Sequence, residues 1–164
     1  MKTVAWAAAL SLVLPLPAKA ADRMFDLIGS NGRTTTFVDV NSKQLEKDQV
    51  SFWALMVNPP PNPLTAKLDV YYIVMKVAVS CDTKSAITAG TVAYTKNDEI
   101  AFSSSASSSS VAIIPGSLYD SEYRYFCLGQ RPVVSFKMLS HLKEAVAYAE
   151  SATKPPAGAP SPND

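Results

Sequence analysis

The residues with the most chemical potential in this chain are two cysteines, Cys81 and Cys127, and a single histidine, His141. An even pair of thiols in a chain with an export signal most simply forms one disulfide. The alternatives are a metal-binding pair and a catalytic thiol. Cysteines this far apart, with one distant histidine, match no zinc-ligand spacing, and a nucleophilic thiol needs a nearby base. We therefore expect a structural disulfide between Cys81 and Cys127 and no metal site.

The other clusters of polar residues do not match a catalytic or phosphate-binding motif. Asp98 and Glu99 are adjacent in a predicted turn and point apart, and Asp120 and Glu122 are interpreted as a solvated surface pair. The serine-rich segment 103–110 contains no Gly-x-Ser-x-Gly turn, and the glycines are too scattered to cradle a phosphate. His141 falls on the polar side of a predicted helix. We expect no catalytic residues, no cofactor-binding residues and no enzymatic activity.

The first twenty residues predict export. Lys2 supplies a positive start, residues 5–16 form an apolar run, and Ala18-Lys19-Ala20 is an A-x-A cleavage site. The run is too short for a stable membrane anchor, and no cysteine near the cleavage site could carry a lipid. We expect cleavage after about Ala20 and a mature chain, periplasmic or secreted, that is neither a lipoprotein nor membrane-anchored.

The charge balance excludes two classes of partner. Loss of Lys2 and Lys19 leaves 13 basic residues against 14 acidic ones in the mature chain, from totals of 15 and 14. A near-neutral chain lacks the basic surface that nucleic acids or anionic membranes attract. We expect neither as a partner.

Alternating apolar residues predict an antiparallel sheet. Residues 24–29 and 34–40 are predicted strands joined by an Asn31-Gly32 hairpin turn, followed by a polar, turn-like segment at 41–49. Residues 50–57 are apolar on both faces, which is typical of a central strand covered on both sides. Four further strands are predicted, at residues 68–81, 86–95, 100–102 and 111–114.

The strand at 68–81 carries the first cysteine. Its predicted buried face contains Tyr71, Ile73, Met75, Val77 and Val79. Period two places Cys81 on the same side, so a disulfide would tie the sheet to whatever covers that face.

The remaining segments are connectors, an aromatic cluster and a helix. Residues 58–63 form a stiff proline connector, and residues 103–110 an exposed, mobile loop. The aromatic segment 119–126 is interpreted as core and sheet-edge packing, with a binding surface as the alternative. Residues 135–151 predict an amphipathic helix, N-capped by Ser135, that packs on the sheet; partner binding through its apolar stripe is the alternative. We expect a disordered, proline-rich tail over residues 153–164.

The order of these features resembles the surface-adhesin protein E-like domain family of Gram-negative bacteria. The similar stretches lie at 36–39, 50–53, 72–81, 92–94 and 113–117, followed by Cys127. The resemblance implies an α+β domain over residues 21–152, with a single antiparallel sheet of about six strands, a helix on one face and one disulfide. Known members are outer-membrane lipoproteins that bind host matrix proteins and can dimerise, whereas this chain has no lipidation cysteine.

Taken together, the residues and the resemblance predict an exported, non-catalytic binding or envelope protein with an adhesin-like protein-interaction role. Its partner would be an envelope or extracellular protein, and a homodimer is compatible with the resemblance. The alternative is a periplasmic small-molecule carrier or weak enzyme that uses a cleft between helix and sheet. A polar, water-accessible pocket under the helix would favour this alternative, and a sealed apolar interface would favour the binding module.

Overall fold

The chain folds as an antiparallel meander with helices on both sides. The computed structural model describes residues 22–105, 107–132 and 136–153. Six strands lie across the sheet in chain order, and each pairs antiparallel with its neighbours. They are β1 Phe25–Ser30, β2 Thr35–Glu46, β3 Gln49–Val57, β4 Tyr72–Ser80, β5 Ser85–Tyr94 and β6 Ile100–Ser104. A short β7, Val111–Ala112, pairs with the start of β5. The helices are α1 Pro63–Leu68, α2 Leu118–Cys127 and α3 Leu142–Thr153.

The first hairpin forms for the reason that its sequence suggests. The Asn31 side chain accepts hydrogen bonds from the backbone N–H groups of Arg33 and Thr34, at 3.0 and 2.8 Å. Gly32 has a φ of +77°, which only glycine adopts without strain. This turn sets the register in which Gly29 faces Thr36, and a shift between Leu27 and Gly29 then places Leu27 opposite Phe37 across β1 and β2.

Both faces of the sheet are apolar and buried, as the pattern of β3 predicts. Val50, Phe52 and Ala54 belong to one core cluster, and Leu55 and Val57 belong to the other. The first cluster, here called the α2 face, is covered by aromatic residues of α2. The second, here called the α3 face, is covered by Ala145 and Ala149 of α3 together with Val146 and Leu142. The predicted fold class is confirmed, with a second covering helix that the sequence did not indicate.

The disulfide joins the sheet to α2. Cys81 directly follows β4 and Cys127 is the last residue of α2, with 5.5 Å between the two Cα atoms. Cys81 lies on the α2 face with Val77 and Val79, as period two predicts. The C-terminal helix α3 covers the opposite face.

Several predicted boundaries are wrong. The segment at 41–49 is largely strand, because β2 continues to Glu46 past a shift in its register with β3. The strand predicted from residue 68 begins at Tyr72, and Tyr71 packs in the α3 face rather than with Met75. The chain before it forms α1, which Asn62 caps by accepting a hydrogen bond from the Leu64 N–H at 2.9 Å.

The C-terminal predictions are also partly corrected. The helix predicted from residue 135 begins at Leu142. Residues 136–138 are not helical, and Leu139 instead exchanges two backbone hydrogen bonds with Phe25 at the edge of β1. Thr153 is the last residue of α3 rather than the start of a tail. The signal segment 1–20, Ser135 and residues 154–164 lie outside the described residues.

The serine-rich segment is exposed at each of its described residues, 103–105 and 107–110. It nevertheless contacts the sheet. Ser103 and Ser104 end β6, and the Ser108 N–H donates to the Thr88 carbonyl at 2.8 Å while the Ser108 side chain accepts from the Thr88 N–H at 2.9 Å. This segment therefore continues along the same side of β5 that β6 and β7 occupy.

Replacing both cysteines with alanine should lower the free energy of unfolding by about 4 kcal/mol, because the bond closes a loop of about 47 residues in the unfolded chain. Urea unfolding of the mature protein, followed by Trp53 fluorescence, measures the change. Wild-type protein in reductant should match the double variant. A loss below about 1 kcal/mol would contradict this stabilising role.

Candidate functional site

The helix α2 is well defined at its N-terminus. The Ser117 side chain caps it by accepting from the Asp120 N–H at 3.2 Å. The Asp120 carboxylate accepts from the Gly116 N–H at 2.9 Å and from the Arg124 guanidinium at 3.0 Å. These bonds hold the pKa of Asp120 below its usual value, the Gly116 bond contributing most. The start of α2 is therefore fixed to the turn that precedes it.

The side of α2 that faces the sheet carries mainly aromatic rings. Two of its tyrosine hydroxyl groups are hydrogen-bonded. The Phe126 ring stacks on Phe52 with 4.2 Å between centroids. The Tyr119 hydroxyl lies 2.9 Å from the Thr88 hydroxyl, and the Tyr125 hydroxyl donates to Asp26 at 2.7 Å. Burial, and then the bond to Asp26, raises the pKa of Tyr125 above its usual value. Tyr119, Tyr125 and Phe126 therefore pack on the core, as the favoured interpretation of the aromatic segment has it, and the segment does so as a helix.

Asp26 is a fully buried carboxylate with a complete set of partners. Arg131 binds it with two donors, Nη2 to Oδ1 at 2.7 Å and Nε to Oδ2 at 2.9 Å. Together with the Tyr125 hydroxyl, these bonds join β1, α2 and the segment that follows α2. The bond to Asp26 raises the pKa of Arg131. A buried charge with this many donors is compensated rather than reactive.

Glu122 is the opposite case. Its side chain is 0% exposed, and neither carboxylate oxygen has a hydrogen-bond partner among the described residues. Burial alone raises its pKa from 4.5 to about 8, so the group is mostly protonated at neutral pH. The predicted solvated pair is thus wrong for Glu122. Residues two apart on a helix face different directions, and here Glu122 faces the sheet while Asp120 lies partly exposed at the start of the helix.

A surface groove lies beside the outer side of α2, with a volume of about 390 Å³. We call it the α2–β7 groove. Its walls come from the β4–β5 turn, the segment that follows β7, and α2 with the residues after it. The lining residues are Lys84, Ile113, Pro115, Asp120, Tyr123, Arg124, Leu128 and Gln130. Next to it, Ile114 is 69% exposed, and the lining residue Leu128 is 51% exposed, so apolar surface extends from the groove to solvent.

The other sequence candidates lie apart from this groove. His141 is exposed just before α3, where its backbone N–H donates to Glu144 at 3.3 Å. Asp98 lies in the β5–β6 turn and accepts from the Tyr72 hydroxyl at 3.0 Å. Within residues 22–105, 107–132 and 136–153, no group of three or more histidine, cysteine and acidic side chains is placed to hold a metal ion.

The interface under α3 is apolar and closed. Ala145 and Ala149 are fully buried against Phe37, Leu55 and Tyr71. The Tyr71 hydroxyl donates to Glu150 at the margin of this interface. A depression of about 250 Å³ lies along one side of α3, lined by Tyr72, Lys96, Val146 and Glu150 among others, and it is open to solvent. The α3 helix therefore packs directly on the sheet, and the depression lies beside this interface rather than under the helix.

Sequence comparison gives the family of the chain. The family model described as surface-adhesin protein E matches residues 25–128. The chain belongs to this family. The match runs from β1 to the end of α2 and contains both disulfide cysteines, whereas α3 lies beyond it. The resemblance noted in the sequence is thus confirmed.

No curated protein matches the chain. Among solved structures, crystal form II of Haemophilus influenzae protein E is 14% identical, with a TM-score of 0.41 over 57% of this chain and 80% of that chain. In the described part of the chain, no helix combines the length and apolar character that crossing a bilayer requires.

Glu122 should make this adhesin-family domain less stable as pH rises. The unfolded chain releases the proton near pH 4.5 and the folded chain near pH 8, so between these values only the folded state holds it. The free energy of unfolding should fall by an extra amount on the order of 3 kcal/mol between pH 5 and 8.5. The Glu122→Gln variant should lack this fall, as measured by urea unfolding at both pH values. The exposed change Glu144→Gln is the control and should retain it; equal pH dependence in wild type and Glu122→Gln would refute the assignment.

Breaking the Asp26 ion pair should destabilise the protein more than breaking an exposed one. Arg131→Met leaves the Asp26 carboxylate buried and short of two donors. Arg124→Met removes a comparable contact from the partly exposed Asp120 and is the matched control. The loss in thermal unfolding temperature should be several times larger for Arg131→Met. Similar losses for the two variants would mean that the Asp26 pair contributes no more than a surface contact.

Proposed function

We propose that this protein is an exported, non-catalytic, adhesin-like module that binds another protein at the cell envelope or outside the cell. The observation that carries the proposal is the match to the surface-adhesin protein E family over the whole sheet and α2. The proposal includes a signal peptide removed after about Ala20, no lipid anchor, an ordered domain that ends with α3 at Thr153, and a tail beyond it.

The surface chemistry of the described residues supports protein binding. Ile114 and Leu128 are large apolar side chains that remain exposed beside the α2–β7 groove. Contiguous exposed apolar surface rimmed by polar groups is typical of sites where proteins associate. Both helical interfaces are already filled by the chain itself, so a partner would meet this surface or a sheet edge rather than the core.

The edge at β6 supports a second mode of association, including a homodimer. Residues 100–103 of β6 are exposed, and among the described residues no strand pairs with the outer side of this stretch. Ile100 and Phe102 add apolar side chains to this edge. The backbone groups of an open edge can pair with a strand of another chain. The β1 edge is partly blocked, because Leu139 already pairs with Phe25.

The alternative function, a small-molecule carrier or weak enzyme using a cleft between helix and sheet, receives less support. The α3 interface is sealed by Ala145 and Ala149. The open depression beside α3, at about 250 Å³, lies below the range of about 300–1,000 Å³ in which ligand pockets usually fall.

The test begins with location and partner. Producing cells carrying the full chain, with an epitope after Asp164, are fractionated, probed with external protease and cross-linked before recovery. We expect the mature protein in the envelope or extracellular fraction, cross-linked to another protein, and binding to a panel of purified matrix proteins. Recovery as free periplasmic protein without any partner would contradict the proposal. Turnover of ester, peptide or phosphate substrates that one point change abolishes would contradict its non-catalytic part.

A further inference from the structure

We propose that the α2–β7 groove binds an extended peptide segment of a partner protein, one that presents apolar side chains together with carboxylates. The inference rests on the proposed protein-binding function and names the chemistry of the partner. It follows from three properties of the groove: its apolar walls, its uneven charge and its rigid construction.

The walls of the groove offer anchoring sites for apolar side chains. Ile113 and Pro115 line one wall, and Leu128 lines the other beside the Tyr123 ring. Leu128 is 51% exposed although it directly follows a cysteine that is tied to the sheet. Aromatic and aliphatic side chains held in a concave surface are the usual anchors of protein interfaces. A partner segment would bury this surface with its own apolar side chains.

The charges in the groove select for acidic partners. Its lining contains two cations, Lys84 and Arg124, and one carboxylate, Asp120. Asp120 is already bonded to Arg124 and to the Gly116 N–H, so its charge is largely compensated. Lys84 instead lies over the Tyr123 ring, with its ammonium 6.0 Å from the ring centroid, and its side chain forms no salt bridge with any residue that the structure describes. A carboxylate of the partner would complete the contacts of Lys84 at the apolar wall.

The groove is fixed before any partner arrives. The Ile113 N–H donates to the Lys84 carbonyl at 2.9 Å, which joins the segment after β7 to the β4–β5 turn. The disulfide at Cys81 holds the end of α2 to the end of β4, three residues before Lys84. The Ser117 cap fixes the other end of α2. Little conformational entropy is therefore lost in forming the site, which favours a short peptide as ligand.

The experiment uses the mature full chain labelled with ¹⁵N and two peptides. One is an acetylated octapeptide of alternating leucine and aspartate, and the other has lysine in place of every aspartate. We expect the aspartate peptide to shift the amide resonances of Lys84, Tyr123 and Leu128, and to bind at least about fivefold more tightly than the lysine peptide. Shifts centred elsewhere, equal binding of both peptides, or no shift at millimolar aspartate peptide would overturn the proposal.

Two variants and a control locate the interaction. Lys84→Glu should weaken binding of the aspartate peptide about fivefold or more and should favour the lysine peptide. Leu128→Ser should weaken both peptides, because it removes an apolar wall. Lys67→Glu makes the same charge change on α1, at the other end of the strands, and should alter the dissociation constant by less than about twofold. If Lys84→Glu and Lys67→Glu changed the dissociation constant equally, the effect would come from net charge alone, and the proposed site would be overturned.

Sedimentation of the wild type and the Leu128→Ser variant tests whether a second copy of the chain, rather than a peptide, occupies the groove. A homodimer that Leu128→Ser dissociates would make the groove a self-association surface and refute the peptide site. The proposed function would fail on a different result, namely cells that yield no cross-linked partner. The groove could still bind the aspartate peptide in that case. Conversely, a partner whose binding is unaffected by Lys84→Glu and Leu128→Ser would leave the adhesin-like function standing and remove the groove from it.

Discussion

The antiparallel sheet has two apolar faces, and the chain must cover both after its strands are complete. Leu55 and Val57 point one way from β3 while Phe52 and Ala54 point the other, so leaving either face open would expose core side chains to water. The two helices that follow β7 meet this requirement in different ways. α2 is short and rich in aromatic rings, and a disulfide holds it. α3 presents two small residues, Ala145 and Ala149, which allow close approach to the α3 face without a covalent tie.

The buried carboxyl groups explain why α2 benefits from that covalent tie. Asp26 is matched by Arg131 and the Tyr125 hydroxyl, so its burial is compensated. Glu122, on the same helix face as Phe126, has no hydrogen-bond partner in the described part of the chain, and its burial favours the protonated form. The packing of α2 thus includes a cost that rises with pH. The bond at Cys127 offsets it by limiting how far the helix can separate from the sheet when that cost rises.

The sheet was predictable because its signals are local. Period two in β3 and β4, and the Asn31-Gly32 turn, depend on residues next to one another, and each led to a correct element. α2 was not predicted, because tyrosine and phenylalanine between 119 and 126 favour strands by propensity. The helical signals were present in Ser117 as a cap and in aromatic residues four and three apart, namely Tyr119, Tyr123 and Phe126. The groove could not be predicted, because Lys84, Ile113 and Leu128 are brought together only by the disulfide and by the pairing of β7 with β5.

The family match covers only part of the chain. It therefore separates surfaces that other family members can share from surfaces that belong to this chain alone. The lining residues of the α2–β7 groove other than Gln130, and the exposed edge of β6, lie within residues 25–128, whereas α3 lies beyond them and packs back onto residues of the matched range. The disulfide and the caps that hold the groove belong to the same matched unit. α3 then closes a face that the matched unit alone would leave apolar and exposed. Its addition stabilises the sheet while leaving the groove and the β6 edge as the surfaces open to a partner.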